Sequence, residues 1–170
     1  EEIGSEGSTG AQGRFLEYCM EDLTEAWEPG TKVRDVFQNS TAVSGDVHAA
    51  TDPDWQELHE KLNASIIGHG PTFCKFTGSR GKSGSNDASA EVVGKLRKIF
   101  ADNGVVWQMS ELGKVDQGGG GTVAQYMANR NIDTIDAGTP VFSMHAPFET
   151  VTKFDCYQTY KAMWAFYKDR

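Results

Sequence analysis

The 170-residue sequence contains no run of about 18 apolar residues, so it predicts a protein without a membrane-spanning helix. Basic residues are scarce: 16 Lys and Arg against 24 Asp and Glu give a formal net charge of -8. Nucleic-acid binding needs a basic face, so this balance argues against that class of protein. Cysteines number only three, an odd count without metal-ligand spacing. We interpret Cys19, Cys74 and Cys156 as free buried thiols in a reducing compartment, which predicts a cytoplasmic location.

The start of the chain has no basic stretch leading into an apolar one, as a secretory signal peptide would have. Its first residue is a glutamate inside a motif, so we expect further residues upstream. Hydrophobic residues make up 38% and charged residues 24%, the balance of one globular domain.

Apolar residues recur at helical spacing in several segments. Leu16, Cys19, Leu23 and Ala26 predict a helix that ends before Pro29-Gly30. The stripe Val92, Val93, Leu96, Ile99 and Phe100 predicts a second helix, capped by Asp87 and ended by Gly104. A short helix is expected over 122–129, and Thr152-x-x-Asp155 has the form of a capping box at the start of a last helix.

Short apolar runs between these helices predict strands. They cover 33–37, 42–50, 72–77, 105–109, 134–137 and 140–145. Strands that alternate with helices predict an α/β fold with helix, sheet and helix in three layers. In such folds the ends of the strands carry the functional site.

Four residues have side chains suited to metal chemistry: Glu1, Glu2, Asp46 and His145. Carboxylates and a neutral imidazole are the ligands that Zn²⁺, Co²⁺ and Mn²⁺ take. Each residue also has a simpler interpretation. The glutamate pair is typical of a solvated surface, Asp46 of a turn, and His145 of a hydrogen-bonded histidine in a strand.

Glycine loops offer an alternative, phosphate or nucleotide binding. Gly78-Ser79-Arg80-Gly81-Lys82-Ser83 ends like a P-loop, but Phe76 stands where that motif needs its first glycine. The second loop, 118–121, has no lysine after it to contact a phosphate.

Several motifs in order resemble the aminopeptidase I / aspartyl aminopeptidase family of zinc exopeptidases, with the bacterial aminopeptidase I branch nearest. They are Glu1-Glu2-Ile3-Gly4-Ser5, Ser44-Gly45-Asp46-Val47-His48-Ala49, the segments 75–82 and 113–122, and Ser143-Met144-His145-Ala146-Pro147-Phe148-Glu149. The resemblance runs from the first residue to the last.

This resemblance implies a role for each candidate. Glu1 matches the general base, Glu2 and His145 match ligands of one metal ion, and Asp46 matches a ligand of the other. Substrate-binding positions of the family match Lys75, Asp116, Gly119, Gly120 and Thr122. His48 and His69 are interpreted as structural histidines.

The resemblance also implies the reaction and its setting. Two divalent ions, zinc first with cobalt or manganese as alternatives, serve the release of N-terminal residues from peptides. The family's bridging Asp and its other His lie upstream of the glutamate pair. Residues 1–170 are therefore expected to be the C-terminal portion of a phosphorylase/hydrolase-like di-zinc domain, without the N-terminal part and the inserted domain. A large homo-oligomer is expected of the full-length protein, with neither nucleic acid nor membrane as a partner. The chain alone is expected to be inactive, and a non-catalytic structural chain of an assembly is the alternative.

Overall fold

The computed structural model describes residues 5–80 and 83–169. No helix in these two ranges is long and apolar enough to cross a membrane. The described residues form the helices α1 (Phe15–Trp27), α2 (Val33–Gln38), α3 (Ala90–Asp102), α4 (Ala124–Ala128) and α5 (Lys153–Lys168), with a 3-10 turn at Gln56–Leu58. Its strands are β1 (Thr41–Ser44), β2 (His48–Ala49), β3 (Thr72–Cys74), β4 (Gly78–Ser79), β5 (Gln108–Met109), β6 (Gly119–Gly120), β7 (Asp133–Gly138) and β8 (Pro140–Val141).

The main sheet has the strand order β1-β7-β3-β5. β1 runs parallel to β7 and β3 parallel to β5, whereas β3 and β7 are antiparallel. Two short ladders lie beside this sheet: β2 with β8, parallel, and β4 with β6, antiparallel. The sheet is mixed and its strands alternate with helices, so the predicted α/β class is confirmed.

The hydrophobic core lies where α3 and α5 meet the sheet. The predicted stripe of α3 is the face that is buried, and Leu96 and Phe100 are each 2% exposed. The ring centroid of Phe73 on β3 lies 4.7 Å from that of Phe100. Ala162 and Ala165 of α5 complete the cluster, since their small side chains allow the two helices to approach closely.

A buried carboxylate fixes the start of α5. Thr152 is the N-cap, and its hydroxyl accepts the backbone N–H of Asp155 at 2.9 Å, as the capping box predicts. The Asp155 carboxylate is fully buried and accepts the backbone N–H groups of Gly68 and Gly70, each at 2.7 Å. Asp155 therefore ties the loop before β3 to α5.

Some local predictions are wrong. Residues 33–37 belong to the helix α2 and not to a strand. Val33 lies one helical turn before Val36 and Phe37, which is the spacing of one helix face. Of these three residues only Phe37 is buried. Ser89, not Asp87, caps α3: its hydroxyl accepts the N–H of Val92, while Asp87 pairs with Lys75.

The predicted strands over 42–50, 72–77, 105–109 and 140–145 are shorter in the structure. None of the three cysteines forms a disulfide with another described residue, and only Cys74 is buried, so the prediction of buried thiols is wrong for Cys19 and Cys156.

Candidate active site at the strand ends

Asp46 lies just beyond the end of β1, where the pairing with β7 is interrupted. Thr41 lies opposite Asp133 in the first ladder, and His48 lies opposite Pro140 in the second. The register is the same on both sides of the interruption, so Asp46 comes opposite Gly138. The side chain of Asp46 is exposed, and its Oδ1 accepts the N–H of Val47 at 2.8 Å.

His145 lies in a tight loop after β8. Its backbone adopts φ +67°, a left-handed conformation that is uncommon for residues other than glycine. The backbone N–H of His145 donates to Oε1 of Glu149 at 2.5 Å, which closes the loop. The imidazole is exposed and therefore available to a ligand.

Asp46 and His145 line the same cavity, of about 290 Å³, which we call the strand-end cavity. It is also lined by His48, Cys74, Leu112, Gly120, Thr122, Asp136, Met144 and Glu149. Two of the three metal ligands predicted from sequence thus meet in one cavity, together with Gly120 and Thr122 of the predicted substrate-binding set.

A second, outer groove of about 590 Å³ shares Asp46 and Thr122 with the strand-end cavity. Ser5 lines this outer groove as well, and Ser5 belongs to the motif that begins with the glutamate pair. Glu1 and Glu2 themselves lie outside the described residues.

The other three predicted substrate-binding residues do not line the strand-end cavity. Lys75 forms an ion pair with Asp87, and both side chains are partly exposed. Asp116 is exposed at φ +62°, in the turn that precedes the glycines. Gly119 lies in β6, so close to Gly78 that a Cβ would be 2.1 Å from the carbonyl oxygen of Gly78.

The glycine loops do not have P-loop geometry. Gly78 and Ser79 form β4 and pair with β6, and the next helix, α3, begins only at Ala90. A P-loop leads directly from its glycines into a helix whose N–H groups hold phosphate. This geometry argues against the nucleotide-binding alternative.

Two buried titratable groups in the wall of the strand-end cavity were not among the predicted site residues. Asp136 on β7 is 6% exposed, and burial, the largest cause, raises the pKa of its carboxyl to about 6. The hydroxyls of Ser44 and Thr122 act in the opposite direction on that pKa, and the charge of Asp46 adds to the rise. An acidic residue between Ile135 and Ala137, inside the predicted strand 134–137, was the sequence signal for it.

His48 is the second group, and its interpretation as a structural histidine agrees with its contacts. Its Nδ1 lies 3.2 Å from the hydroxyl of Ser65 and its Nε2 3.3 Å from that of Ser110. Burial lowers the pKa of His48 to about 4, so its imidazole is neutral at pH 7.

The donor set suits a divalent transition metal. Asp46 offers a carboxylate and His145 an imidazole, and both types of ligand are usual for zinc. Within residues 5–80 and 83–169, no three His, Cys, Asp or Glu side chains come close enough together to hold an ion. A complete site therefore needs at least one donor from elsewhere, such as Glu2.

Comparison with known proteins identifies the class of protein to which this chain belongs. A family described as aminopeptidase I zinc metalloprotease (M18) matches residues 1–167, which places the chain among the metallopeptidases. A probable M18 family aminopeptidase 1 of Thermotoga maritima is 44% identical over 165 residues, covering 95% of this chain and 37% of the relative. The corresponding protein of Clostridium acetobutylicum is 45% identical over 168 residues, covering 98% of this chain and 36% of the relative.

Solved structures agree with the sequence comparisons. The crystal structure of the M18 aminopeptidase from Thermotoga maritima superposes with a TM-score of 0.92 at 42% identity, over 97% of this chain and 37% of that one. The structure of a yeast mApe1 dodecamer gives 0.80 at 25% identity, over 99% and 36%. The chain belongs to the M18 aminopeptidase I family, and it spans little more than a third of the length of these relatives.

Proposed function

We propose that residues 1–170 form the C-terminal portion of a catalytic domain that releases N-terminal residues from peptides with the help of two divalent metal ions. The observation that carries this proposal is the meeting of Asp46 and His145, 99 positions apart, in one cavity. Family membership and the relatives' names support an aminopeptidase. The relatives' greater length leaves room for the ligands that this chain lacks.

Each residue has a separate task in this proposal. Asp46 and His145 hold the metal ions together with Glu2. The ions, when bound, polarise the scissile carbonyl and acidify a water molecule. Glu1 accepts the proton and passes it to the leaving amine, because a carboxylate that is not a ligand is free to do so.

The substrate then occupies the space beside the glycine loop. Gly120 and Thr122 line the strand-end cavity, and Thr122 also lines the outer groove. Lys75, Asp116 and Gly119 belong to the surrounding segments. A bound metal ion or a nearby carboxylate would hold the free α-amino group of the substrate, which would account for exopeptidase action.

Several broader features belong to the same proposal. Zinc is the first candidate for both ions, with cobalt or manganese as alternatives. The sheet lies between two layers of helices once the domain is complete. The dodecamer formed by a yeast relative supports a large homo-oligomer for the full-length protein. The free cysteines favour a cytoplasmic location.

The test uses the complete enzyme, meaning this chain with an upstream segment of the kind its relatives carry. We expect metal-dependent release of N-terminal residues, assayed with a panel of aminoacyl p-nitroanilides. Glu1→Gln should lower kcat about 10²- to 10⁴-fold and keep the zinc content, because the amide keeps the shape but accepts no proton. His145→Ala should lower the zinc content itself.

His69→Ala is the matched control, since His69 is exposed and, among the described residues, its ring forms a hydrogen bond only with the carbonyl of Ile67. It should change neither zinc content nor kcat. Normal zinc content in His145→Ala, or normal kcat in Glu1→Gln, would reject the assignment of that residue.

A non-catalytic role in an assembly is the second candidate. The dodecamer formed by a yeast relative is compatible with this role. A complete enzyme that forms the oligomer but binds no zinc and releases no residue would support that alternative.

A further inference from the structure

A single arginine joins two segments that lie far apart in the sequence. Arg130 follows α4, and its guanidinium donates to the backbone carbonyls of Ala11 and Gly13. Its Nη1 lies 3.0 Å from the Ala11 oxygen and also donates to the carbonyl of Tyr126, within α4, at 2.7 Å. This half-buried side chain therefore uses both of its terminal nitrogens to connect residues 5–13, which we call the turn segment, to α4.

The turn segment is folded tightly on itself. The N–H of Gln12 donates to the carbonyl of Ser5 at 3.2 Å. Gly10 is buried between them, and a Cβ there would lie 2.1 Å from the carbonyl oxygen of Glu6, so only glycine fits. The two ends of the turn segment are thus held together, and a contact at its end also fixes Ser5 at its start.

Ser5 connects the turn segment to the proposed catalytic residues. It lines the outer groove together with Asp46. Three peptide links separate Ser5 from Glu2 in the sequence, so the position of Ser5 confines the backbone of Glu2 to within about 11 Å. The position of the turn segment therefore limits where Glu1 and Glu2 can lie relative to Asp46.

The other end of this connection is fixed to the main sheet. α4 contacts both β7 and β1, the two strands that lead to Gly138 and to Asp46. Ala124, the first residue of α4, is fully buried. Arg130 thus joins the segment that follows the two glutamates to the strands that carry another proposed metal ligand.

Arginine suits this position because its donors point in fixed directions. A planar guanidinium presents five N–H groups in a rigid fork, whereas a lysine ammonium is a point charge on a flexible chain. Hydrogen bonds from a charged donor are roughly twice as strong as neutral ones. Two carbonyls of the turn segment and one of α4 are therefore held in one arrangement.

We propose that Arg130 is a positioning residue that sets where Glu1 and Glu2 lie relative to Asp46, by holding the turn segment against α4. This role rests on the proposed aminopeptidase function, in which Glu2 is a metal ligand and Glu1 the proton acceptor. Arg130 itself contacts neither the metal nor the substrate in this arrangement. Its loss should therefore lower zinc affinity and kcat through the glutamates and leave KM nearly unchanged.

The experiment compares Arg130→Ala and Arg130→Lys with the unaltered complete enzyme. Zinc affinity is measured by competition with a chelator, and kcat and KM at saturating zinc with an aminoacyl p-nitroanilide. Arg130→Ala should lower zinc affinity about tenfold, the scale for loss of a group that orients a ligand. It should lower kcat up to about 100-fold, since a displacement of about 1 Å can have that effect. Arg130→Lys should show smaller losses of both, because an ammonium lacks the fork that serves all the carbonyls at once.

A double variant separates positioning from a general effect on stability. In a Glu1→Gln background, Arg130→Ala should lower kcat by no more than about threefold, since residue 1 then accepts no proton wherever it lies. A merely structural arginine would instead multiply the loss caused by Glu1→Gln. Arg34→Ala is the control for loss of a positive charge, because the Arg34 side chain on α2 is 75% exposed. Its zinc affinity and kcat should be those of the unaltered enzyme.

Backbone hydrogen exchange at Gln12 and Gly13 gives a measure that does not depend on turnover. Arg130→Ala should speed this exchange at least about tenfold, because the carbonyls of the turn segment lose a charged donor. Unchanged exchange would show that the guanidinium does not hold the turn segment, and that result would overturn the proposal.

Unchanged zinc affinity and kcat in Arg130→Ala, or multiplicative losses in the double variant, would overturn it as well. If Arg130→Ala does not fold, the same outcomes in Arg130→Lys, alone and combined with Glu1→Gln, decide equally. An unaltered enzyme that releases no residue would instead reject the proposed function, and zinc affinity and exchange would still test the role of Arg130.

Discussion

The backbone of Asp46 packs directly against Gly138: a Cβ at position 138 would lie 1.3 Å from the carbonyl oxygen of Asp46. The two residues lie opposite each other, in the register shared by the β1–β7 and β2–β8 ladders. No side chain fits there, so only glycine allows the chain to carry Asp46 across the end of β7. The proposed metal ligand is therefore positioned by a residue that has no side chain.

Gly138→Ala should displace Asp46 and lower zinc affinity in the complete enzyme at least tenfold, the usual scale for loss of a group that orients a ligand. Overpacking should also lower the free energy of unfolding by about 1–3 kcal/mol. Zinc titration and denaturant unfolding measure the two effects.

Gly94→Ala is the matched control. Gly94 lies within α3, and a Cβ there would meet nothing within 4 Å. Since alanine favours a helix over glycine, this change should raise the free energy of unfolding by about 0.5–1 kcal/mol and leave zinc affinity alone. Equal zinc affinity in the two variants would contradict the role of Gly138.

The carboxylate of Asp155 should be essential to stability and not to chemistry. Its two acceptor oxygens bind the N–H groups of Gly70 and Gly68, and the hydroxyl of Thr152 lies 2.6 Å from Oδ2. Asparagine offers only one acceptor, so Asp155→Asn should leave a buried N–H unpaired and cost about 2–4 kcal/mol. Denaturant unfolding measures this, with Asp102→Asn, at an exposed position on α3, as the control. A cost below about 0.5 kcal/mol would contradict the prediction.

Sequence reasoning succeeded where a local signal decided the structure. The stripe of α3 and the Thr152 cap of α5 were both read correctly, since periodicity and capping act within a few residues. It failed for 33–37, where β-branched residues suggested a strand although the apolar spacing was helical.

The site was only partly predictable. The family resemblance predicts that Asp46 and His145 are metal ligands. In the structure both residues line one cavity. The importance of Gly138 was missed because it depends on a close approach between segments far apart in sequence. Asp136 was missed because its burial depends on the pairing of β7 with β1 and β3, which only the folded chain brings together.

Two buried groups should give opposite pH dependences. The pKa of Asp136 rises from 3.8 to about 6 on folding, so its contribution to stability falls as pH rises across that window. The pKa of His48 falls from 6.5 to about 4, so its contribution falls as pH drops across nearly the same window. Each shift corresponds to about 3 kcal/mol, at 1.36 kcal/mol per pKa unit.

We therefore expect these two contributions to offset each other between about pH 4 and pH 6.5 in the metal-free protein. Asp136→Asn should leave only the pH dependence of His48, so the free energy of unfolding should rise with pH. His48→Gln should leave only the pH dependence of Asp136, so the free energy of unfolding should fall as pH rises. Denaturant unfolding at several pH values, with chelator present, tests both. Parallel slopes in the two variants would contradict the assignment.

Glu149 should act on the metal through the backbone of His145. The left-handed backbone of His145 is unfavourable for a residue with a Cβ by about 1–2 kcal/mol. The bond from its N–H to the Glu149 carboxylate offsets this cost and holds the backbone that carries the imidazole. Glu149→Ala should therefore lower zinc affinity about tenfold, whereas Glu149→Gln, which keeps an acceptor oxygen, should lower it about threefold or less. Glu91→Ala, at an exposed position in the first turn of α3, is the control for the loss of charge. Zinc titration by competition with a chelator measures all three, and equal losses for Glu149→Ala and Glu149→Gln would show that the charge of Glu149, and not its bond to His145, supports the metal.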